Sequence, residues 1–292
     1  MKKYLYNIMV ALLATLALAG CSKSIEEQDS EFVSTLDATK PALVVFAQSI
    51  NIVSHSTGAL VAALNLNAYI NAPEEEKEMV EDTYFTYKKI RNSGDLWHIY
   101  DERWEEKYRL NNSLTLSDEG AQWDIIASPY FLGGEAQDGA VRVERVGNDI
   151  FTIKLTDAKL PAYKQWSSIG LRWNAIVNAE FTVTTNDAEQ RAAGNTEYIY
   201  TVSGHGRLYD PKHDSYSVSF TIDEPMEIHH DRDGMFIGPC YGNMEIEVRE
   251  GDISEQVSAT MSPYYAIMLQ YTTMGHTYTG YYNWGMKDIS PR

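Results

Sequence analysis

Between Pro41 and Pro73 the chain carries no Asp, Glu, Lys or Arg. Within that stretch Gln48, Asn51, His55, Gly58 and Asn65 fall on one line at helical spacing. Leu43, Phe46, Ile50, Val53, Leu60, Val61 and Leu64 cover the rest of the surface. A helix with so narrow a polar stripe is expected to be buried nearly all round. The rival reading is a membrane span, but Asn, Gln, His and Ser side chains are expensive in hydrocarbon, so the pattern predicts a core helix. Pro73 then opens a second expected helix. Glu74, Glu75 and Glu76 lie in its first turn, Met79, Tyr84, Tyr87 and Ile90 form an apolar stripe, and Lys88, Lys89 and Arg91 precede a stop at Asn92-Ser93-Gly94. The two together predict an antiparallel helical hairpin over 37–94.

After Gly94 the period changes from helical to two. Phe151, Ile153 and Leu155 alternate with Thr152, Lys154 and Thr156. Tyr216, Val218, Phe220 and Ile222 alternate with Ser217, Ser219 and Thr221, and Met244, Ile246 and Val248 with Glu245, Glu247 and Arg249. Strands with one wet face belong to antiparallel sheets. Hairpin signals recur at Asp118-Glu119-Gly120, Gly147-Asn148-Asp149, Asp210-Pro211, Asp233-Gly234 and Gly251-Asp252, enough for about a dozen strands over 95–292. Tyr198, Tyr200, Val202, Gly204, Gly206 and Leu208 share one face, and two glycines there predict strong bending or close approach of another backbone. The expected fold class is α+β: a helical hairpin packed on or inside a large antiparallel sheet, curved and barrel-like or a sandwich. A membrane barrel also alternates, but the helical hairpin and the Pro291-Arg292 ending argue against it.

The first twenty residues have a different logic. Lys2 and Lys3 precede an uncharged run from Leu5 to Ala19, and Ala19-Gly20 lead into Cys21. That layout is a secretory signal, too short for a stable span. Leu18-Ala19-Gly20-Cys21 resembles the lipobox of bacterial lipoproteins at all four positions. The resemblance implies cleavage before Cys21 and fatty-acyl chains, palmitate among them, on that residue. Two or more chains anchor stably, at about 0.8 kcal/mol per buried methylene. Ser22 in place of Asp leans toward the outer membrane. Glu26, Glu27, Asp29 and Glu31 resemble the acidic surface-export tract of some Gram-negative lineages, so either the cell surface or the periplasmic face is expected. The expected organisation is a signal peptide at 1–20, a flexible lipidated tether at 21–36, the helical hairpin at 37–94 and the β region at 95–292.

Charge and cysteine narrow the partners. Removing residues 1–20 leaves 22 basic against 41 acidic residues, a net charge of −19. Such a charge repels phosphate backbones, which excludes nucleic acid as a natural partner and leaves membrane attachment to the lipid. With Cys21 lipidated, Cys240 has no intramolecular partner and is expected to be buried at the Gly238-Pro239-Cys240-Tyr241 junction.

Candidate chemistry is sparse. His229-His230-Asp231-Arg232-Asp233-Gly234 is the densest polar cluster, but neighbouring residues on a strand face opposite ways and Asp233-Gly234 is a plain turn signal, so a solvated turn is expected. His205 lies between two glycines on a polar face, and His213-Asp214 reads as a turn. No nucleophile elbow, zinc-protease helix or phosphate loop occurs, and no carboxylate spacing identifies a glycosidase pair. Trp97, Trp104, Trp123, Trp166 and Trp173 and the C-terminal tyrosines either fill the core or stack on a sugar or protein partner. His205, His229 and Trp173 are therefore the ligand-binding candidates. No catalytic residue, metal ligand or cofactor is assigned. The expected function is a non-enzymatic binding or scaffolding role in the cell envelope, with a protein or glycan partner. The alternatives are a barrel-like carrier of an apolar or glycan ligand, and a hydrolase using carboxylates or histidines.

Overall fold

The computed structural model describes residues 25–79, 90–93, 96–100, 106–111, 122–127, 140–163, 172–185, 189, 197–231, 241–262 and 266–283. Among the described residues thirteen strands form one sheet whose spatial order is the chain order, every neighbouring pair antiparallel. They are β1 (Ile90–Ser93), β2 (Leu96–Tyr100), β3 (Glu106–Asn111), β4 (Gln122–Ala127), β5 (Ala140–Gly147), β6 (Ile150–Tyr163) and β7 (Arg172–Thr185). The meander continues through β8 (Glu197–Asp210), β9 (His213–Asp231), β10 (Gly242–Glu250), β11 (Ile253–Ser262), β12 (Ala266–Thr273) and β13 (His276–Asn283). No ladder joins β1 to β13 among the described residues, so the sheet is open; it is neither a closed barrel nor a sandwich.

Alternation explains the sidedness. Val141, Val143, Phe151, Ile153, Leu155, Phe181, Val183, Tyr198, Tyr200 and Val202 are all buried on one face, while Lys154, Glu180, Glu245 and Arg249 are exposed on the other. Apolar-in and polar-out is the reverse of a lipid-facing barrel.

The buried face closes over α1 (Ile25–Asn71), the one long helix among the described residues. Its side chains from Ala42 to Leu66 belong to the same apolar cluster as the strands, and it touches strands from β3 to β13. Thr39–Asn71 is long and apolar enough to cross a bilayer, yet most of it is buried inside the protein. The expected core helix is what forms. Its polar residues are accommodated locally: Ser49 donates to the Val45 carbonyl at 2.8 Å, Ser56 to Ile52 at 2.6 Å, and Thr57 to Val53 at 3.1 Å. Back-bonded hydroxyls of this kind can be buried without a partner elsewhere. The expected polar stripe holds in its first half, where Asn51 is exposed and Gln48 and His55 partly so; Gly58 and Asn65 are buried.

Two expectations fail. The helical hairpin is not supported, because α1 is the one long helix among the described residues. After Asn71 come a short 3₁₀ turn, Glu74–Glu76, and one further helical stretch, 77–79, with Met79 exposed; residues 80–89, where the rest of the expected second helix falls, lie outside the described ones. The supposed helix end at Ile90–Ser93 is strand β1, paired with β2 from Ile90↔Ile99 to Ser93↔Leu96. The tether also shrinks, because α1 begins at Ile25 within the segment expected to be flexible and runs through Pro41.

Two polar contacts set the path of the helix. Thr39 Oγ1 meets the Tyr282 hydroxyl on β13 at 2.6 Å, and Thr57 Oγ1 meets His230 Nε2 on β9 at 2.6 Å. Eighteen residues of helix span about 27 Å, and four strand spacings about 19 Å. Both contacts lie near the C-terminal ends of strands running the same way, so α1 crosses the strands toward that end. Gly280 makes this approach possible: a Cβ there would sit 2.6 Å from Thr39 Oγ1 and 2.9 Å from the Tyr282 ring. The glycines of β8 likewise mark close approach. Gly204, at φ +140°, would place a Cβ 2.2 Å from the Glu180 carbonyl oxygen, and Gly206 lies under the Phe220 ring. Opposite Ser203 the ladder skips Asp223-Glu224-Pro225, a bulge in β9 where a proline costs no ladder bond.

Gly280→Val should therefore lower stability by about 1–3 kcal/mol, the usual cost of overpacking, measured as a fall in the urea midpoint. The helix also imposes a pH dependence. Desolvation holds the His55 imidazole down to about 4 from an ordinary 6.5. A depressed base is protonated more readily in the unfolded chain, so its contribution is fully present above pH 6.5 and is lost as pH falls toward 4. The loss amounts to about 3 kcal/mol. Urea unfolding at pH 7.5 and pH 4.5 should show that loss shrinking in His55→Gln.

Candidate functional site

Strand β9 places His229 and His230 on opposite faces, as strand geometry requires, but not in a solvated turn. Both are strand residues and both are buried, His229 at 6% exposure and His230 at 0%. The expectation failed because β9 runs on to Asp231, ahead of the turn signal that suggested otherwise. His230 follows Met226 and Ile228 inward. It bonds Thr57 on α1 and tilts against the Tyr200 ring, centroids 6.0 Å apart. That imidazole is a structural link between helix and sheet.

His229 faces outward together with Glu227, two residues earlier on the same strand. It is covered from both sides. Across the ladder it pairs with Ile199, and from two positions along β8 the Glu197 carboxylate reaches over to its Nδ1 at 2.5 Å. On the other side Tyr241 is bridged to Glu227 by two main-chain hydrogen bonds, 2.8 and 3.1 Å, and sets its ring edge-on to the imidazole at 5.4 Å and 88°. Since a carboxylate only accepts, Nδ1–H is the donor to Glu197, and in the neutral imidazole the lone pair is then on Nε2. Nε2 is buried without a hydrogen-bond partner, and Glu227 Oε2 stands 4.0 Å from it. Glu197 and Glu227 are each about half exposed, at 50% and 46% of their side chains, so the cluster stands at the surface with a desolvated nitrogen at its centre.

The three ligand-binding candidates do not converge. His205 is exposed on the outer face of β8, opposite Glu180 and Thr221. Along β8 it lies six residues from Ile199, the partner of His229, or about 20 Å. Trp173 is near the start of β7, paired with Ala162, toward the other end of the sheet from His229; its side chain lies outside the described residues. So do the side chains of Trp97, Trp104, Trp123 and Trp166, and Cys240, Asp233 and Gly234 entirely. His213 opens β9, across the two-residue Pro211-Lys212 turn from Asp210.

Glu197, Glu227 and Tyr241 were not anticipated. Glu227 was readable, because Glu-x-His on a strand puts both side chains on one face. Glu197 and Tyr241 arrive through strand pairing over long sequence separations, for which no local signal exists. Compared with protein families, with characterised proteins and with solved structures, the chain matches none.

The cluster also separates its two carboxylates energetically. Glu197→Ala leaves a buried Nδ1–H unsatisfied and should cost about 1–3 kcal/mol. Glu227→Ala removes no hydrogen bond to the imidazole and should change stability by less than about 0.5 kcal/mol. Chemical denaturation of the two variants side by side measures the difference.

Proposed function

We propose that this chain is a lipid-anchored protein of the bacterial cell envelope with a non-enzymatic binding or scaffolding role. The address rests on Lys2-Lys3, the uncharged run to Ala19 and Leu18-Ala19-Gly20-Cys21, whose resemblance to a lipobox implies acylation of Cys21 and attachment to the outer membrane.

The role rests on one observation: the concave face of the sheet is taken up by the protein's own helix. A barrel-like carrier holds its cargo in that volume, and here Phe46, Ile50, Ile52, Leu60 and Leu66 are packed into it. What the fold offers outward is a broad polar face of cross-strand rows. One row follows the ladders from Glu180 through His205, Thr221, Glu245, Ser258 and Gln270 to Thr279, seven strands in succession. Short hydroxyl, amide and carboxylate groups on a regular sheet suit a protein or glycan surface held by many weak polar contacts. The acidic balance of the chain disfavours nucleic acid as that partner.

Growth with an alkyne-bearing fatty acid tests the anchor. The natural chain should be labelled and recovered with the outer membrane, and Cys21→Ala should be unlabelled and soluble. Recovery of the unaltered chain in the soluble fraction without label would overturn the reading. A photo-crosslinking residue at Gln270 should capture an envelope component, whereas the same residue at the buried Leu269 should not.

A further inference from the structure

The Glu197–His229–Glu227 cluster carries a property that a purely structural role does not use. Glu197 accepts the Nδ1–H of His229, so in the neutral imidazole the lone pair is on Nε2. Nε2 is buried, has no hydrogen-bond partner and stands 4.0 Å from Glu227 Oε2. In that neutral tautomer Nε2 and Oε2 are both acceptors, and a cation between them is what the pair can satisfy jointly.

We propose that His229 Nε2 and Glu227 Oε2 bind a borderline divalent transition ion of the Zn²⁺ or Cu²⁺ class, with Glu197 as the positioning residue behind the imidazole. Metal–nitrogen and metal–oxygen bonds are each about 2.0–2.2 Å, so a separation of 4.0 Å spans one ion in a wide N–metal–O angle. Narrowing that angle to a tetrahedral one takes a shift of about half an ångström from Glu227, which its half-exposed side chain can make. A histidine ligand whose second nitrogen donates to a carboxylate is the arrangement that fixes tautomer and ring orientation for metal binding. Tyr241 holds the ring edge-on from the other side, seated there by its two main-chain bonds to Glu227, while the strand itself spaces the two ligands two residues apart. An imidazole nitrogen beside one carboxylate selects Zn²⁺ or Cu²⁺ over Mg²⁺ and Ca²⁺, which prefer all-oxygen shells. His230 takes no part, since it points to the opposite face and is bonded to Thr57. Among the described residues no three His, Cys, Asp or Glu side chains converge on one point. Water therefore completes the coordination, and the ion is exchangeable.

Calorimetric titration of the full chain with ZnCl₂, and separately CuSO₄, in a non-coordinating buffer should show one ion per chain and no response to MgCl₂. Glu227→Gln and His229→Gln should each weaken binding at least about tenfold, and Glu197→Gln by about 10–100-fold, the usual effect of removing the carboxylate behind a histidine ligand. If His229→Gln does not fold, Zn²⁺ should still shift the Nε2 resonance of ¹⁵N-histidine-labelled natural protein and leave that of Glu227→Gln in place. No uptake of either ion, or uptake undiminished in a folded Glu227→Gln chain, overturns the assignment.

Discussion

The structure depends on one constraint: a helix with no charged side chain between Pro41 and Pro73 must be removed from water, and a sheet of thirteen strands does so by curling over it. Each partner is incomplete alone. The sheet has a continuous apolar face that an open meander cannot cover by itself, and the helix is apolar on nearly its whole circumference. Their mutual burial supplies the driving force at about 25 cal/mol for each Å² of apolar surface removed from water. Hydroxyls that bond back to the helix's own carbonyls let Ser49, Ser56 and Thr57 join that core without a penalty.

Packing alone would leave the helix free to slide along so smooth an interior. Position is specified by a few directional contacts: Thr39 with Tyr282, Thr57 with His230, and the close approach permitted by Gly280. These lie on β9 and β13, so the helix bridges strands far apart in the meander and braces the open sheet across its width. Curvature is assisted by bulges. Asp157, at φ 49°, marks one in β6, where its carboxylate accepts from Asn178 Nδ2 at 3.1 Å and its main-chain N–H donates to Asn178 Oδ1 at 3.0 Å.

Because the interior is committed to the fold, chemistry is left to the outer face. There the regular alternation is broken at His229, the one outward imidazole among the described residues that neighbours cover from both sides. Its desolvated nitrogen beside a carboxylate contrasts with His205, an exposed imidazole in a polar row, and with His230, whose ring is spent on the helix. Three histidines on two adjacent strands thus have three environments, decided by face and by what the adjoining strand or helix sets against each ring.

What the sequence determined by itself is whatever repeats locally. Period two in Phe151–Leu155, Tyr216–Ile222 and Met244–Val248 specified strands and their buried faces, the glycines of 204 and 206 announced close approach, and the charge-free stripe announced a core helix. Each follows from side-chain geometry within a few residues. Tertiary structure decided the rest. Ile90–Ser93 became a strand because β2 offered a ladder, overriding a pattern compatible with a helix end. The helix lies across the strands because of contacts up to 243 residues apart in sequence. Glu197, His229 and Tyr241 meet only through register, which no local period encodes, since pairing across a sheet is settled by which strands the whole chain brings side by side.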